Sequence, residues 1–149
     1  ILLFGLCGSI AEDISIGDVI SVEGAICEDG TSRLYGAKNE SIILSNWFKD
    51  WKEVSENWGF ISCYVWTTDG LYRETNRRVE YFRKKGAHAV DMEVASFYSV
   101  CNWLKIKGIA FLLASDILKD GLWIPGFGLK QFRDGKEKIL RFIIDQCVL

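Results

Sequence analysis

The sequence predicts a single α/β domain built on a parallel or mixed sheet with helices on both faces. Short apolar segments of strand length alternate along the chain with segments whose apolar residues recur at helical spacing. The chain has 149 residues, of which 49% are hydrophobic, and this is enough for one domain with a sizeable core. No internal repeat, linker or low-complexity tract divides the chain, so we expect residues 1–149 to form one domain.

In the first half of the chain, the pattern predicts three strands and one helix. The strands are apolar, β-branched or aromatic runs over residues 1–5, 16–26 and 60–68. Residues 27–41 are polar and rich in turn-forming residues, which predicts a long surface loop. Residues 42–59 carry apolar side chains at helical spacing and end in a glycine, which predicts a helix and its stop.

The second half predicts two strands and three helices, with a glycine-rich segment before the last helix. The strands are the apolar runs 87–90 and 109–115. The glycine-rich segment is 120–128. The helices show amphipathic spacing, and the first has basic residues near its end, as the helix dipole favours. They cover residues 73–86, 93–104 and 130–146.

Three predicted strands end in residues able to bind a ligand. The first runs into a glycine loop, the fourth into two acids and the fifth into a serine and an acid; these are Gly5–Ser9, Asp91-Met92-Glu93 and Ser115-Asp116. In open α/β sheets, ligands bind beyond the carboxyl ends of the strands. If these strands are parallel neighbours, the glycine loop and the acidic side chains meet at one rim of the sheet.

Each of these features also has a purely structural interpretation. The glycine loop contains neither G-x-G-x-x-G nor the lysine of a P-loop, so it is either a turn or an anion-binding loop. Asp91 and Glu93 start a predicted helix, where an acid interacts favourably with the helix dipole. Asp116 follows a strand and is also a candidate N-cap. His88 lies inside a strand and is interpreted as a hydrogen-bonded core histidine.

Composition argues against several classes of partner. The formal net charge of -2 gives no electrostatic case for a nucleic acid, and no apolar run approaches the roughly 20 residues of a membrane span. No two of the five cysteines form a C-x-x-C pair, which predicts reduced thiols and no metal site; they are Cys7, Cys27, Cys63, Cys101 and Cys147. We therefore expect a cytoplasmic protein.

The start of the sequence is unusual. Its only methionine is Met92, and residue Ile1 already lies inside an apolar, strand-like run. We therefore expect that an N-terminal part of the domain precedes Ile1.

Taken together, the segments resemble those of the nucleoside phosphorylase superfamily. "GLCGSI" followed by "ISIGDVISVEGAICEDGTS" looks like its glycine loop and following strand, and "TTDGLY" looks like its base-site segment. "VDMEVASFYSVC" looks like its ribose-binding segment, and "LLASDIL" looks like its Ser-Asp segment. The order and the spacing, including the 24 positions from Asp69 to Glu93, agree over essentially the whole chain.

The resemblance implies a mixed, partly barrel-like central sheet flanked by helices, and cleavage of the N-glycosidic bond of a nucleoside. It implies no cofactor, with inorganic phosphate as the co-substrate in the phosphorylases and water in the related nucleosidases. It also implies a homo-oligomer, either a dimer or a hexamer. This chain is then the C-terminal portion of the family domain, and we expect it to be inactive by itself.

Site residues follow from the same resemblance. It implies Asp116 as the catalytic acid; Met92, Glu93 and Asp91 as ribose contacts; Leu71, Tyr72 and Ser115 as base contacts; and Gly5, Gly8 and Ser9 as phosphate contacts. These residue types suit the chemistry. A carboxylate accepts hydrogen bonds from ribose hydroxyls near the developing cation, and an acid improves a purine leaving group through its N7 atom. The Ser-Asp pair favours purines over uridine.

Two positions depart from the family pattern. Leu6 stands where a serine or threonine hydroxyl usually contacts phosphate, and Leu71 stands where an aromatic ring usually stacks on the base. The lack of a hydroxyl at Leu6 weakens the prediction that phosphate is the nucleophile. The alternative is a nucleosidase, which uses water. The two departures together leave a third interpretation, a non-catalytic relative that binds nucleosides.

Overall fold

A computed structural model of the protein describes residues 1–147, which form a seven-stranded mixed sheet with five α-helices and one 3₁₀ turn at Leu71–Arg73. The strands are β1 (Leu2–Ser9), β2 (Val19–Glu28), β3 (Ile42–Leu44), β4 (Ile61–Thr68), β5 (Ala87–Asp91), β6 (Ile109–Lys119) and β7 (Leu122–Pro125). The helices are α1 (Gly30–Leu34), α2 (Phe48–Asn57), α3 (Asn76–Lys84), α4 (Val94–Leu104) and α5 (Lys130–Cys147).

The sheet closes on itself, which confirms the mixed, partly barrel-like α/β fold. Its strand order is β3-β2-β4-β5-β1-β6-β7, and β2 pairs additionally with β6, so that β2, β4, β5, β1 and β6 form a closed ring of five strands. The pairs β2–β4, β4–β5 and β1–β6 are parallel. The pairs β1–β5 and β2–β6 are antiparallel, and β3 and β7 extend the ring on the outside.

Two large apolar clusters hold the helices against the ring. One cluster joins α4 to the sheet through small and β-branched residues around Tyr98. The other is aromatic, because Phe111 of β6 and Phe142 of α5 lie with ring centroids 5.0 Å apart and both contact Trp51 of α2. No helix within residues 1–147 is both long and apolar enough to span a membrane.

Tyr98 ties α4 to the point where the ring closes. Its buried hydroxyl donates to the carbonyl of Val22 on β2 at 2.6 Å and accepts from the amide of Ala110 on β6 at 3.0 Å. Because a buried polar group that loses its partner costs about 1–3 kcal/mol, we expect Tyr98→Phe to lower the free energy of unfolding by that amount. Urea denaturation checks this against Tyr72→Phe, whose side chain is 96% exposed. Equal losses in the two variants would contradict the bridging role.

The predicted glycine loop after residue 5 is wrong, because β1 continues as a strand through Ser9. The parallel neighbour β6 supplies backbone partners along its whole length, from Leu2 opposite Ile109 to Ser9 opposite Ile117, with one bulge between Cys7 and Gly8. For the same reason β6 extends beyond the predicted end at residue 115. Small residues that indicate a turn locally are thus held extended by a distant strand.

Four other predicted boundaries change. The loop 27–41 contains the end of β2 and the short helix α1, which Asp29 caps by accepting from the amide of Ser32 at 2.7 Å. The predicted helix 42–59 begins with the edge strand β3, which pairs with β2, before α2 starts. The helix predicted from residue 73 begins at Asn76, and the glycine-rich segment contains β7. The strand at 87–90 and the helices at 93–104 and 130–146 are confirmed to within one or two residues.

Candidate active site

The sheet brings the three segments side by side, but not at the carboxyl ends of parallel strands as predicted, because β1 and β5 are antiparallel and Asp116 lies within β6. In the strand register, Gly8 of β1 lies opposite Val90 of β5 on one side and opposite Asp116 of β6 on the other. A Cβ atom at Gly8 would lie 2.6 Å from the side chain of Leu118 and 3.0 Å from Asp116 Oδ2. Because glycine has no side chain, position 8 leaves space for the Asp116 carboxylate.

Two donors hold the Asp116 carboxylate in place. The Ser115 hydroxyl donates to Oδ1 at 2.6 Å, and the indole N–H of Trp123 on β7 donates to Oδ2 at 2.9 Å. Ser115 is buried and its oxygen also lies 3.2 Å from the carbonyl of Cys7. The structure thus places Ser115, a predicted base contact, where it orients Asp116.

Asp91 forms the contacts of an acid at a helix start, in line with its purely structural interpretation. Its Oδ2 accepts from the backbone amides of Glu93 at 2.9 Å and Val94 at 2.7 Å, and its Oδ1 accepts from the Thr67 hydroxyl at 2.6 Å. Burial raises the pKa of Asp91 to about 6, although these hydrogen bonds act in the opposite direction. Both oxygens are engaged within the protein, unlike those of a free ribose contact.

This buried acid predicts a pH dependence of stability. The pKa of Asp91 is 3.8 in its ordinary state and about 6 in the folded protein. The stability that the protonated form of Asp91 gives the folded protein is therefore fully present below pH 4 and is lost as the pH rises through 6. The difference corresponds to about 3 kcal/mol. We expect the unfolding free energy of Asp91→Asn to gain about that much relative to the native protein between pH 3 and pH 7. Denaturation across this range checks the gain, with the exposed Asp120→Asn as the control; a constant difference would contradict it.

Met92 and Glu93 lie on the rim and face solvent. Met92 is 40% exposed, and Glu93 is exposed at the residue that precedes α4. The Glu93 side chain makes no capping hydrogen bond to its own helix, because Asp91 already binds the first amides. The Glu93 carboxylate is therefore available to a ligand, whereas Asp91 two residues earlier is not.

The predicted base and phosphate contacts have different surroundings. Leu71 is 52% exposed in the 3₁₀ turn, and Tyr72 points into solvent. Gly5 lies within β1, and a Cβ atom there would lie 3.2 Å from Leu112. The Ser9 hydroxyl is buried and donates to the carbonyl of Ile14 at 2.8 Å, because the chain turns back on itself after β1. Leu6, between the two glycines, is 48% exposed.

The core interpretation of His88 is wrong. Its side chain is partly exposed, and Nδ1 lies 3.2 Å from the carboxylate of Asp13 on the chain segment after β1. Four of the five cysteines, Cys7, Cys27, Cys63 and Cys101, are buried free thiols, and the side chain of Cys147 lies outside the described part of the structure. Across residues 1–147, no group of three or more histidine, cysteine, aspartate or glutamate side chains is placed to hold a metal ion.

Two residues were missed in the sequence: Trp123, which contacts Asp116, and Glu74, which lines a cleft beside Trp123. Trp123 lies in a segment whose glycines indicated only irregular structure, and Glu74 lies where an amphipathic helix was predicted. Both line a cleft of about 160 Å³ between the start of α3 and the β6–β7 hairpin. No local pattern indicates the contact of Trp123 with Asp116 or the cleft, since a hairpin and a helix start that are distant in sequence create the cleft.

The sequence of the chain matches a known protein family. A sequence model described as the phosphorylase superfamily matches residues 1–126. The chain belongs to the phosphorylase superfamily.

Named members of the phosphorylase superfamily resemble this chain in sequence and structure. The DeoD-type purine nucleoside phosphorylase of Buchnera aphidicola is 23% identical over 142 residues, covering 93% of this chain and 57% of the relative. The structure of purine nucleoside phosphorylase from Toxoplasma gondii in complex with immucillin-H has a TM-score of 0.79 at 18% identity, covering 96% of this chain and 60% of that one. The AMP nucleosidase of Bacteroides thetaiotaomicron has a TM-score of 0.65 at 26% identity, covering 94% and 60%.

These coverages mean that the chain spans somewhat more than half the length of the relatives it matches. The matched part contains the closed ring of strands and the rim with Asp116, Glu93 and Gly8. The phosphorylase superfamily thus accounts for the fold and for the order of the segments. The roles of individual residues at the rim remain proposals.

Proposed function

We propose that the protein cleaves the N-glycosidic bond of a purine nucleoside with inorganic phosphate, giving the free base and ribose 1-phosphate. One observation carries this proposal: Asp116, held by Ser115 and Trp123, shares a rim with the solvent-facing Glu93. An oriented acid for the base and a free carboxylate for the sugar are the two groups that this cleavage needs.

At the base, Asp116 is proposed to act on the purine N7 atom. Negative charge develops on the base as the glycosidic bond breaks, and an acid in hydrogen-bond reach lowers the barrier by protonating it. The Ser115 hydroxyl and the Trp123 indole fix the carboxyl plane, so that one direction of approach is preferred. Leu71 is proposed to give the base an apolar contact without aromatic stacking, while Tyr72 faces solvent.

At the sugar, Glu93 is proposed to accept hydrogen bonds from the 2′- and 3′-hydroxyls of ribose. These bonds position the ring, and the carboxylate lies near the carbon that gains oxocarbenium character. Met92 offers a flexible apolar surface beneath the ring. Asp91 is proposed to support this arrangement from behind, because it fixes the backbone amide of Glu93 at 2.9 Å.

At the nucleophile, phosphate is proposed to approach along β1, where Gly5 and Gly8 carry no side chain; Gly5 is partly exposed, whereas Gly8 is buried between β5 and β6. Ser9 is not proposed as a direct ligand, since its hydroxyl is buried and donates to Ile14. The exposed Leu6 supplies no hydroxyl, and this favours a second candidate, a nucleosidase that uses water. An AMP nucleosidase is among the relatives of similar fold, which adds to the case for testing it.

The experiment that separates the candidates uses the full-length protein with inosine, adenosine, methylthioadenosine and uridine, each with and without phosphate. Base release that requires phosphate and yields ribose 1-phosphate supports the phosphorylase. Base release at equal rate in phosphate-free buffer supports the nucleosidase. Binding of nucleosides without release of base under either condition would exclude both enzymes. Sedimentation of the same sample tests the expected dimer or hexamer.

A further inference from the structure

A second cavity, separate from the rim that carries Asp116, lies at the start of α3. Its volume is about 440 Å³, within the range of about 300–1,000 Å³ that is typical of small-molecule sites. The end of β2, the 3₁₀ turn and the first turns of α3 contribute to its walls. The charged residues that line it are three arginines and two acids, namely Arg73, Arg77, Arg78, Glu28 and Glu40.

Both acids of this cavity are already bound by cations. Glu28 forms an ion pair with Arg78, which lines the same cavity. Glu40 forms an ion pair with Lys85 and accepts a hydrogen bond from the Tyr81 hydroxyl at 2.6 Å. These two bonds, that of Lys85 first, lower the pKa of Glu40, so that it is ionised and engaged. Neither acid is therefore left to neutralise a further cation.

Arg73 and Arg77 remain as the cations without an acidic partner. Both are exposed, and neither forms an ion pair within residues 1–147. Since Arg78 and Lys85 each bind one glutamate, the charge of Arg73 and Arg77 is in excess at the cavity. A guanidinium group presents a planar fork of donors that matches the oxygens of a phosphate group.

Arg78 forms a fixed wall of the cavity. Its guanidinium group lies over the ring of Trp66 at 5.5 Å and over the ring of Phe82 at 6.0 Å. Its Nε atom is buried and has no hydrogen-bond partner within the part of the chain that the structure describes. A buried donor without an acceptor is unfavourable, so an acceptor at this wall would be stabilising.

Two further groups suit a phosphate ester. Thr75 makes no capping hydrogen bond to α3, which leaves its hydroxyl as a donor at the cavity. Tyr81 is 45% exposed and presents an apolar ring surface at the same cavity. The cavity thus combines donors for an anion with a surface for an organic group.

We propose that this cavity binds a phosphate group, either as free phosphate or as the phosphomonoester of a small organic molecule. Arg73 and Arg77 bind the phosphate oxygens, and Thr75 donates a further hydrogen bond. The ring of Tyr81 packs against the organic part of an ester. This site goes beyond the proposed cleavage and does not depend on it. Because Arg73 ends the turn that begins at Leu71, the bound phosphate would also contact the turn that carries a proposed base contact.

The test titrates the full-length protein with inorganic phosphate and with phenyl phosphate, followed by calorimetry and by NMR of the arginine Nε–H groups. The resonances of Arg73 and Arg77 are expected to shift and to saturate together, which locates binding in this cavity. Arg73→Gln/Arg77→Gln is expected to raise the Kd of phenyl phosphate at least about tenfold, since both charge-assisted donors are lost. Arg73→Lys/Arg77→Lys is expected to keep an intermediate affinity, because lysine retains the charge without the fork.

The matched control is Arg133→Gln/Arg141→Gln on α5, which removes the same charge from two exposed arginines outside the cavity. Its Kd should stay within about twofold of the native value, because exposed charges at a distance are screened by salt. Tighter binding of phenyl phosphate than of inorganic phosphate would identify a phosphomonoester as the ligand, and equal or weaker binding would identify free phosphate. Unmoved Arg73 and Arg77 resonances, or the same Kd in the two glutamine variants, would overturn the site whether or not the protein releases a base.

Discussion

Asp116→Asn is expected to lower the rate of purine release by about 10²–10⁴-fold while changing nucleoside affinity by less than about threefold. Asparagine keeps the size of the side chain and can still hydrogen-bond to the purine N7 atom. It cannot transfer a proton to that atom. Its carbonyl oxygen can accept from the Trp123 indole, and its amide N–H can donate to the Ser115 hydroxyl, which then donates to the carbonyl of Cys7, so the side chain keeps its orientation. The loss should therefore appear in kcat, measured by release of free base.

The matched control for this variant is Asp120→Asn. Asp120 is an exposed acid four residues further along, in the β6–β7 turn, and its φ of 53° is a conformation that asparagine tolerates. Its kcat should stay within twofold of the native value. A native-like rate in Asp116→Asn would remove Asp116 from the acid role. A parallel loss of binding and thermal stability would indicate that Asp116 serves the fold.

Glu93→Ala is expected to raise KM for a ribonucleoside by roughly 10²- to 10⁴-fold. A hydrogen bond to a charged group contributes about 1.5–3 kcal/mol, and Glu93 is proposed to accept two from the ribose hydroxyls. The preference for a ribonucleoside over its 2′-deoxy analogue should also shrink, because the 2′-hydroxyl loses its acceptor. Steady-state kinetics with inosine, 2′-deoxyinosine and 3′-deoxyinosine separates the two contacts.

The stability of Glu93→Ala should change by less than about 0.5 kcal/mol, as for surface substitutions elsewhere. Glu93 is exposed, and Asp91 rather than Glu93 binds the first amides of α4. Glu56→Ala on α2 is the matched control, since Glu56 is an exposed acid whose nearest ion-pair partner, Lys52, lies 3.9 Å away. Unaltered KM values for all three nucleosides would exclude Glu93 as the ribose contact.

Much of the fold could be predicted because the pattern that determines it is local. The strand at 87–90 and the helix that follows have distinct periodicities and a polar junction, and the structure has both. The strand nature of Gly5–Ser9 could not be predicted in this way. Its backbone partners lie on β6, more than 100 residues away in sequence, and they hold extended a run that resembles a turn.

The sequence could indicate candidate site residues but not the environments of their side chains. Asp91 and Glu93 look equivalent in sequence, whereas burial and three hydrogen bonds engage Asp91 and leave Glu93 in solvent. Spacing carries no information on which of two nearby acids the chain will bury. Trp123 was missed for a related reason. Its contact with Asp116 depends on the register of the β6–β7 hairpin, and the glycines of this segment indicated irregular structure and not a strand.

The closure of the ring also has a consequence for how the chain folds. The pairs that place Gly8 beside Asp116, and Val22 beside Ala110, join residues that are about 90 to 110 positions apart. Pairings of such high contact order are the slow ones, because the chain must lose loop entropy before they contribute stability. The parallel pair β4–β5 and the helix α3 between them involve far nearer residues. The rim that would bind a nucleoside is therefore expected to be among the last features to form. A partly folded chain would contain all the residues of the rim without bringing them together.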